Sequence, residues 1–182
     1  MRIEVEQVGA ARVDELVAWR MEVLREVFGI RPDADTSSLE TANRTYYRRE
    51  LPAGRHIACL ARLDGDPVGC GGLCLSKEMP SPDNPSGLCA YLMNVYTRPA
   101  YQGHGVGAAV VSWLVQQARA RGADKVYLET SEAGRRLYEE AGFTDMPGMM
   151  HLTQGGPHGG QNLQNGRLPA QAGSRISSWS VV

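Results

Sequence analysis

The residues with the clearest chemistry lie in one run, Thr97-Arg98-Pro99-Ala100-Tyr101-Gln102-Gly103-His104-Gly105-Val106-Gly107-Ala108. An extended pattern ends at Pro99, a glycine-rich turn follows, and a helical pattern begins. Glycine lets a backbone turn tightly and approach a ligand without a Cβ collision. The first amides of a helix have no partner within it and point outward. The helix dipole adds partial positive charge at the same end. Such a loop is a site for an anion, and it suits a pyrophosphate.

Three readings compete for it. Gly103-x-Gly105-x-x-Ala108 satisfies the dinucleotide fingerprint, and Glu129 stands at a strand end about 20 residues on, as the ribose-binding acid would. Against it, residues 98–102 separate the strand from the first glycine, a long stretch precedes the motif, and too little chain follows for a second mononucleotide half. A second reading is a glycine-rich turn with no ligand. The third is coenzyme A. Gln102, Gly105 and Gly107 match Gln/Arg-x-x-Gly-x-Gly/Ala, with Pro99-Ala100-Tyr101 leading in. Leu137-Tyr138-Glu139-Glu140-Ala141-Gly142-Phe143 then ends a helix in Tyr-x-x-x-Gly-Phe. In both motifs and their order the chain resembles the Gcn5-related N-acetyltransferase (GNAT) family, over about residues 1–153 and most strongly over 91–143.

The resemblance implies an α/β fold with a central mixed, mostly antiparallel sheet. The sheet would splay between its fourth and fifth strands and be flanked by helices. It implies acetyl-CoA as co-substrate, no metal, and direct attack of an amine on the thioester in a ternary complex. Gly103, His104, Gly105, Val106, Gly107 and Ala108, with Gln102, would hold the pyrophosphate. Val95 and Thr97 would offer backbone groups to the pantetheine arm, and an N–H near Asn94 or Val95 would polarise the thioester carbonyl. The family often carries Asn seven residues before the signature tyrosine, where it can bond the cofactor; here Ser131 stands there and is the candidate for that contact, with Tyr138 as a further cofactor-binding candidate.

Tyr138 is the candidate general acid, because a phenol of pKa ~10 is protonated at neutral pH and suits a thiolate whose thiol titrates near ~8.5. Its plain alternative is a core tyrosine. An acceptor amine of pKa ~10.4 must lose a proton before attack, so a base or a site favouring the free amine is needed. Glu129 and Glu132 are the candidates. The alternatives are a solvated Glu129 and a Glu132 that compensates the helix dipole. Tyr91, Asn94 and Tyr47 are candidates for the acceptor pocket. Its walls would be the first two helices and the proline-rich loop, with Arg44, Tyr46, Tyr47, Arg48 and Arg49 either forming a solvated face or meeting an acidic group.

The elements that must position these residues are legible in outline. Ile3 to Val8 alternates as a strand. Val13, Leu16, Val17, Leu24 and Phe28 mark a helix that Gly29 stops, and a second helix covers Leu39 to Leu51. His56 to Leu63 and Val68 to Leu75 form a hairpin around Asp64-Gly65-Asp66-Pro67. Residues 76–86 carry Pro80, Pro82 and Pro85 and read as a loop; Leu88 to Thr97 is a long strand. A helix over Gly105 to Arg121, a strand over Lys125 to Thr130, a helix over Ser131 to Ala141 and a short strand over Met149 to Leu152 complete the order.

Composition bounds the rest. The length of 182 residues favours one domain, here 1–153, with a Gly/Gln/Ser-rich tail over 154–182. All acidic residues lie at or before Asp145, and the tail has little apolar surface to offset its ordering entropy, so it reads as flexible. A net charge of −1 gives no reason to expect nucleic acid or membrane as partner. The expected partners are a small-molecule amine and a second copy in a homodimer; peptide acetylation and a non-catalytic acyl-CoA sensor are the rivals. Cys59, Cys70, Cys74 and Cys89 form no CxxC pair and read as buried thiols in strands. No leader is apparent at Met1 to Glu6, so the cytoplasm is the expected location.

Overall fold

The computed structural model describes residues 1–150. Five strands form one sheet in the order β1 to β5: β1 Ile3–Val8, β2 His56–Leu63, β3 Asp66–Lys77, β4 Leu88–Thr97 and β5 Lys125–Leu128. Helices α1 Val13–Phe28 and α2 Ser37–Glu50 lie between β1 and β2. Helix α3 Val106–Ala120 joins β4 to β5, and α4 Glu132–Glu140 follows. The first three strand pairs are antiparallel and β4–β5 is parallel, which requires a crossover; α3 is that crossover. The fold is the expected mixed α/β sheet between helices.

The apolar pattern explains the layers. Strand β2 is buried along nearly its whole length because both faces are covered. Ile57, Cys59 and Ala61 face a cluster with Val106, Val110 and Leu114 of α3. Ala58 and Leu60 face Leu16, Val17 and Tyr47 of α1 and α2. Close approach of α3 depends on Gly71, where a Cβ would stand 2.5 Å from Cγ1 of Val110. Gly29 closes α1 in the left-handed region at φ 60°, its N–H bonded to the Arg25 carbonyl. Phe28, expected on the inner face, is exposed, one residue before that cap.

Several boundaries differ from expectation, β3 also running on to Lys77 and α2 spanning Ser37–Glu50. The hairpin turns on Asp64 and Gly65 alone, at φ 50° and 99°, so β3 starts at Asp66. Pro67 sits where the register slips opposite Arg62, a place that tolerates a missing N–H. Strand β5 stops at Leu128 rather than Thr130, because the chain must turn for Ser131 to cap α4. Gly134 N–H donates to the Ser131 hydroxyl at 3.3 Å. The expected strand over 149–152 lies partly outside the described residues; Met149 and Met150 belong to no strand. The tail 154–182 lies outside them entirely.

Pairing of β4 with β5 ends at Leu92 and Leu128, while β4 runs on to Thr97. The sheet therefore opens on that side from Met93 onward, as expected. Arg98 fastens the open end. It donates to both carboxylate oxygens of Glu22 at 2.8 Å and to the Pro67 carbonyl at 2.9 Å, and lies over Trp19. One residue thus ties α1 to the end of β4.

Candidate active site

The glycine loop is built as its composition dictates. Gly103 and Gly105 adopt φ 76° and 83°, which L side chains rarely reach. Gly105 caps α3, and Ala109 N–H donates to the Gly105 carbonyl at 3.0 Å. The amides of Val106, Gly107 and Ala108 come before that bond and belong to the helix end that binds anions. Thr97, Gln102, Gly103, Gly105, Val106, Gly107 and Ala108 line one cavity of 430 Å³. Ala133, Arg136, Leu137 and Glu140 of α4 form its far wall. His104 stands outside this lining, exposed, with its ring on the Gln102 carbonyl at 2.9 Å.

The opening in the sheet leads to a second feature. Gly72 pairs with Met93 and Cys70 with Tyr96, so β4 has an extra residue between these pairs. Asn94 takes up the bulge at φ 57°. Its carboxamide accepts from Arg20 at 2.9 Å. Val95 returns to the α3 face, buried at 1% exposure. The bulge leaves backbone groups of β4 without a regular ladder partner beside the opening, where an extended arm could pair with them.

Asn94 and Tyr47 do meet, in a cavity of 230 Å³ between α1, α2 and β4. Arg20, Ala42, Asn43, Tyr46, His56 and Met93 complete its wall and floor. Sequence reading missed Arg20 and His56. The signal for Arg20 was present: it lies four residues from both Leu16 and Leu24, on the buried face of α1, where a cation needs a reason. His56 begins an otherwise apolar strand. Its imidazole is buried at 4% exposure, and burial and the Arg20 charge hold its pKa down at about 4. Tyr46 hydroxyl and His56 Nδ1 are 3.2 Å apart. Nε2 of His56 is buried with no hydrogen-bond partner among the described residues.

The proline-rich loop, expected to wall this pocket, does not reach it. Asn84 is buried against Glu78 and Cys89, and Ser86 N–H bonds Asp124, which packs the loop at the opposite end of β4 and β5. Two of the α2 arginines are engaged elsewhere: Arg44 pairs with Asp14 and Glu40, and Arg49 with Glu50.

Tyr138 is buried in the α3-side cluster, edge-on to Phe143 at 6.0 Å, and lines a cleft of 540 Å³ along β5. Tyr91 stacks on Tyr127 at 5.2 Å. Burial, then the charges of Glu129, Tyr127 and Tyr138, push its pKa up to about 12. These four groups therefore surround one stretch of the β4–β5 junction. Glu129 is exposed just past β5. Glu132 is almost fully exposed and lies 3.7 Å from Arg135, the dipole-compensating position. The Ser131 hydroxyl is engaged as the α4 cap. No group of three or more His, Cys, Asp or Glu that would hold a metal occurs among the described residues. None of their helices is long and apolar enough to cross a membrane.

Comparison with known proteins adds an independent observation. The model of the acetyltransferase (GNAT) family matches residues 14–143. Glucosamine 6-phosphate N-acetyltransferase of Trypanosoma brucei brucei is 28% identical over 116 residues, which are 64% of this chain and 76% of that protein. Mycothiol acetyltransferase of Beutenbergia cavernae is 38% identical over 101 residues; these are 54% of this chain but only 31% of that longer protein. A predicted acetyltransferase of Clostridium acetobutylicum, solved with acetyl-CoA, superposes with a TM-score of 0.73 at 23% identity, over 84% of this chain and 96% of that one.

Proposed function

Because the chain belongs to the acetyltransferase (GNAT) family, we propose that it transfers an acetyl group from acetyl-CoA to a primary amine of a small molecule. The carrying observation is the 430 Å³ cavity in which left-handed Gly103 and Gly105 present the start of α3 next to the unpaired end of β4. Its donors fit a pyrophosphate: they are the helix-end amides, while on the facing wall Arg136 is paired with Glu140 at 2.7 Å. The pantetheine arm then extends along Val95 to Thr97 as an added strand would. Two relatives named for small-molecule substrates support a small acceptor. The 230 Å³ pocket beyond the bulge is the place for it.

The chemistry follows from the groups around the junction. The amine nitrogen attacks the thioester carbon, and an N–H at the Asn94 bulge stabilises the developing oxyanion. Collapse breaks the C–S bond, and the Tyr138 hydroxyl gives its proton to the departing sulfur. Glu129, exposed beside Tyr91 and Tyr127, receives the amine proton through water and releases it to solvent. Glu132 serves the helix end and Ser131 the cap, so neither is assigned a step in transfer.

Calorimetric titration with acetyl-CoA tests the reading, with NADH and NADP⁺ as controls. Wild type should bind acetyl-CoA alone. Gly105→Trp, a side chain forced into φ 83° at the cavity mouth, should lose at least about 100-fold in affinity, the ~3 kcal/mol scale of strained backbone. Binding of a nicotinamide cofactor, or of none, would return the loop to its other readings.

A further inference from the structure

The pocket between α1, α2 and β4 has an unusual charge for a site that takes an amine. Among its described lining residues Arg20 is the only cation, and none carries a carboxylate. An ammonium that entered beside Arg20 with nothing else to offer would be repelled. An acceptor with an acidic group of its own would be drawn to the same place.

A second observation points to the same ligand chemistry. The His56 ring lines the pocket and leans across β3 at Gly72, toward Met93 of β4. A Cβ at Gly72 would stand 3.0 Å from Nε2 of His56 and 3.4 Å from the Met93 carbonyl, so the missing side chain makes room for the ring. Burial raises the pKa of the Tyr46 phenol, so it keeps its proton. Its hydroxyl lies 3.2 Å from Nδ1, and in the tautomer in which that hydroxyl donates, the hydrogen of neutral His56 sits on Nε2. That N–H is buried and has no partner among the described residues. Buried donors of this kind are rare unless something fills the place.

Resting on the acetyltransferase reading above, we infer that the acceptor is a small primary amine bearing a carboxylate or phosphate, held in this pocket by Arg20 and Nε2–H of His56 with its amine directed toward the Asn94 bulge. Arg20 already donates to Asn94 and, at 3.4 Å, to Asn43, so the anion would share the guanidinium with the bulge and the pocket wall. A guanidinium suits planar recognition of either anion. The pocket volume of 230 Å³ suits the anionic group of a compact molecule.

Steady-state acetylation of matched amines tests this. Amino acids are set against their amides, and O-phosphoethanolamine and aminosugar phosphates against their unphosphorylated counterparts. The acidic member of a pair should have the lower KM by about 10- to 100-fold, the scale of a charge-assisted hydrogen bond. The carboxylate and phosphate arms tell the two sources apart. Arg20→Met should bring the acidic-to-neutral ratio near unity, Arg20→Lys should keep part of it, and His56→Phe should reduce it. Acetyl-CoA titration of each variant reports whether the fold and the slot survive. Neutral amines used as well as acidic ones, or no acidic amine used while acetyl-CoA binds, overturns this inference and leaves the proposed function standing. A wild type that fails to bind acetyl-CoA fails the proposed function instead.

Discussion

The slot at the start of α3 and the pocket beneath α2 would both receive an anion, yet they are made differently. The slot is backbone: left-handed glycines, helix-end amides and an unpaired strand end, almost all from residues 97–108. The pocket is side chain: Arg20 from α1, Asn43, Tyr46 and Tyr47 from α2, His56 from β2, Asn94 from β4. A backbone site tolerates many side chains but few changes of conformation. A side-chain site can change its specificity one substitution at a time, which suits a fold whose members keep one donor and vary the acceptor.

The largest expected effect separates chemistry from both sites. Tyr138 lines neither the slot nor the pocket. Tyr138→Phe should lower kcat by about 10²–10⁴-fold, the usual worth of a placed acid, while acetyl-CoA affinity and the acidic-to-neutral ratio hold. Thiol release followed with a chromogenic disulfide reads the rate. If turnover survives intact, the sulfur departs without this proton donor and the junction has been misassigned.

The same difference decides what was legible in the sequence. A backbone site leaves a contiguous signature, so the run from Thr97 to Ala108 could be read without a structure. The slot's far wall could not, since Ala133 and Arg136 meet it only because α4 packs against α3. The pocket gathers residues from 20 to 94, and no local pattern announces that. Strand edges were read well where apolar runs ended at turns, as at His56, Leu63, Leu88 and Thr97. They slipped where one residue served two elements. Thr130 looks like strand by propensity, but Ser131, three residues past Leu128, must cap α4.

Acid should unsettle the pocket and spare the slot. The folded-state pKa of His56 is about 4 against an ordinary 6.5. Arg20 from α1, Tyr46, Tyr47 and Glu50 from α2, and Cys74 from β3 surround it. Because the folded value is the lower one, the unfolded chain takes up the proton first as pH falls below 6.5. Stability then declines through that window and levels off below pH 4. At pH 4 the loss from this group is about 3 kcal/mol, at ~1.4 kcal/mol per unit. Urea midpoints at pH 7 and pH 4.5 should differ less in His56→Phe than in wild type. Equal differences would mean that the ring is solvated and that the pocket is looser than its geometry implies.

The smallest effect is the one that can break the distinction, because one residue is shared. Arg98 follows Thr97 of the slot and holds Glu22, two residues from Arg20 of the pocket. Both partners are about one-third exposed, so solvent screens much of the pair, and it contributes about 1 kcal/mol. The guanidinium over Trp19, 4.2 Å from the ring centroid, adds about 0.5–1 kcal/mol. Arg98→Ala should therefore lower Tm by about 3–8 °C, at the 2–4 °C per kcal/mol typical of this size. If α1 and the end of β4 move as one body, the KM values for acetyl-CoA and for the acidic amine rise together. A rise in one alone would show that the slot and the pocket are anchored separately, and that their difference in construction extends to the frame that holds them.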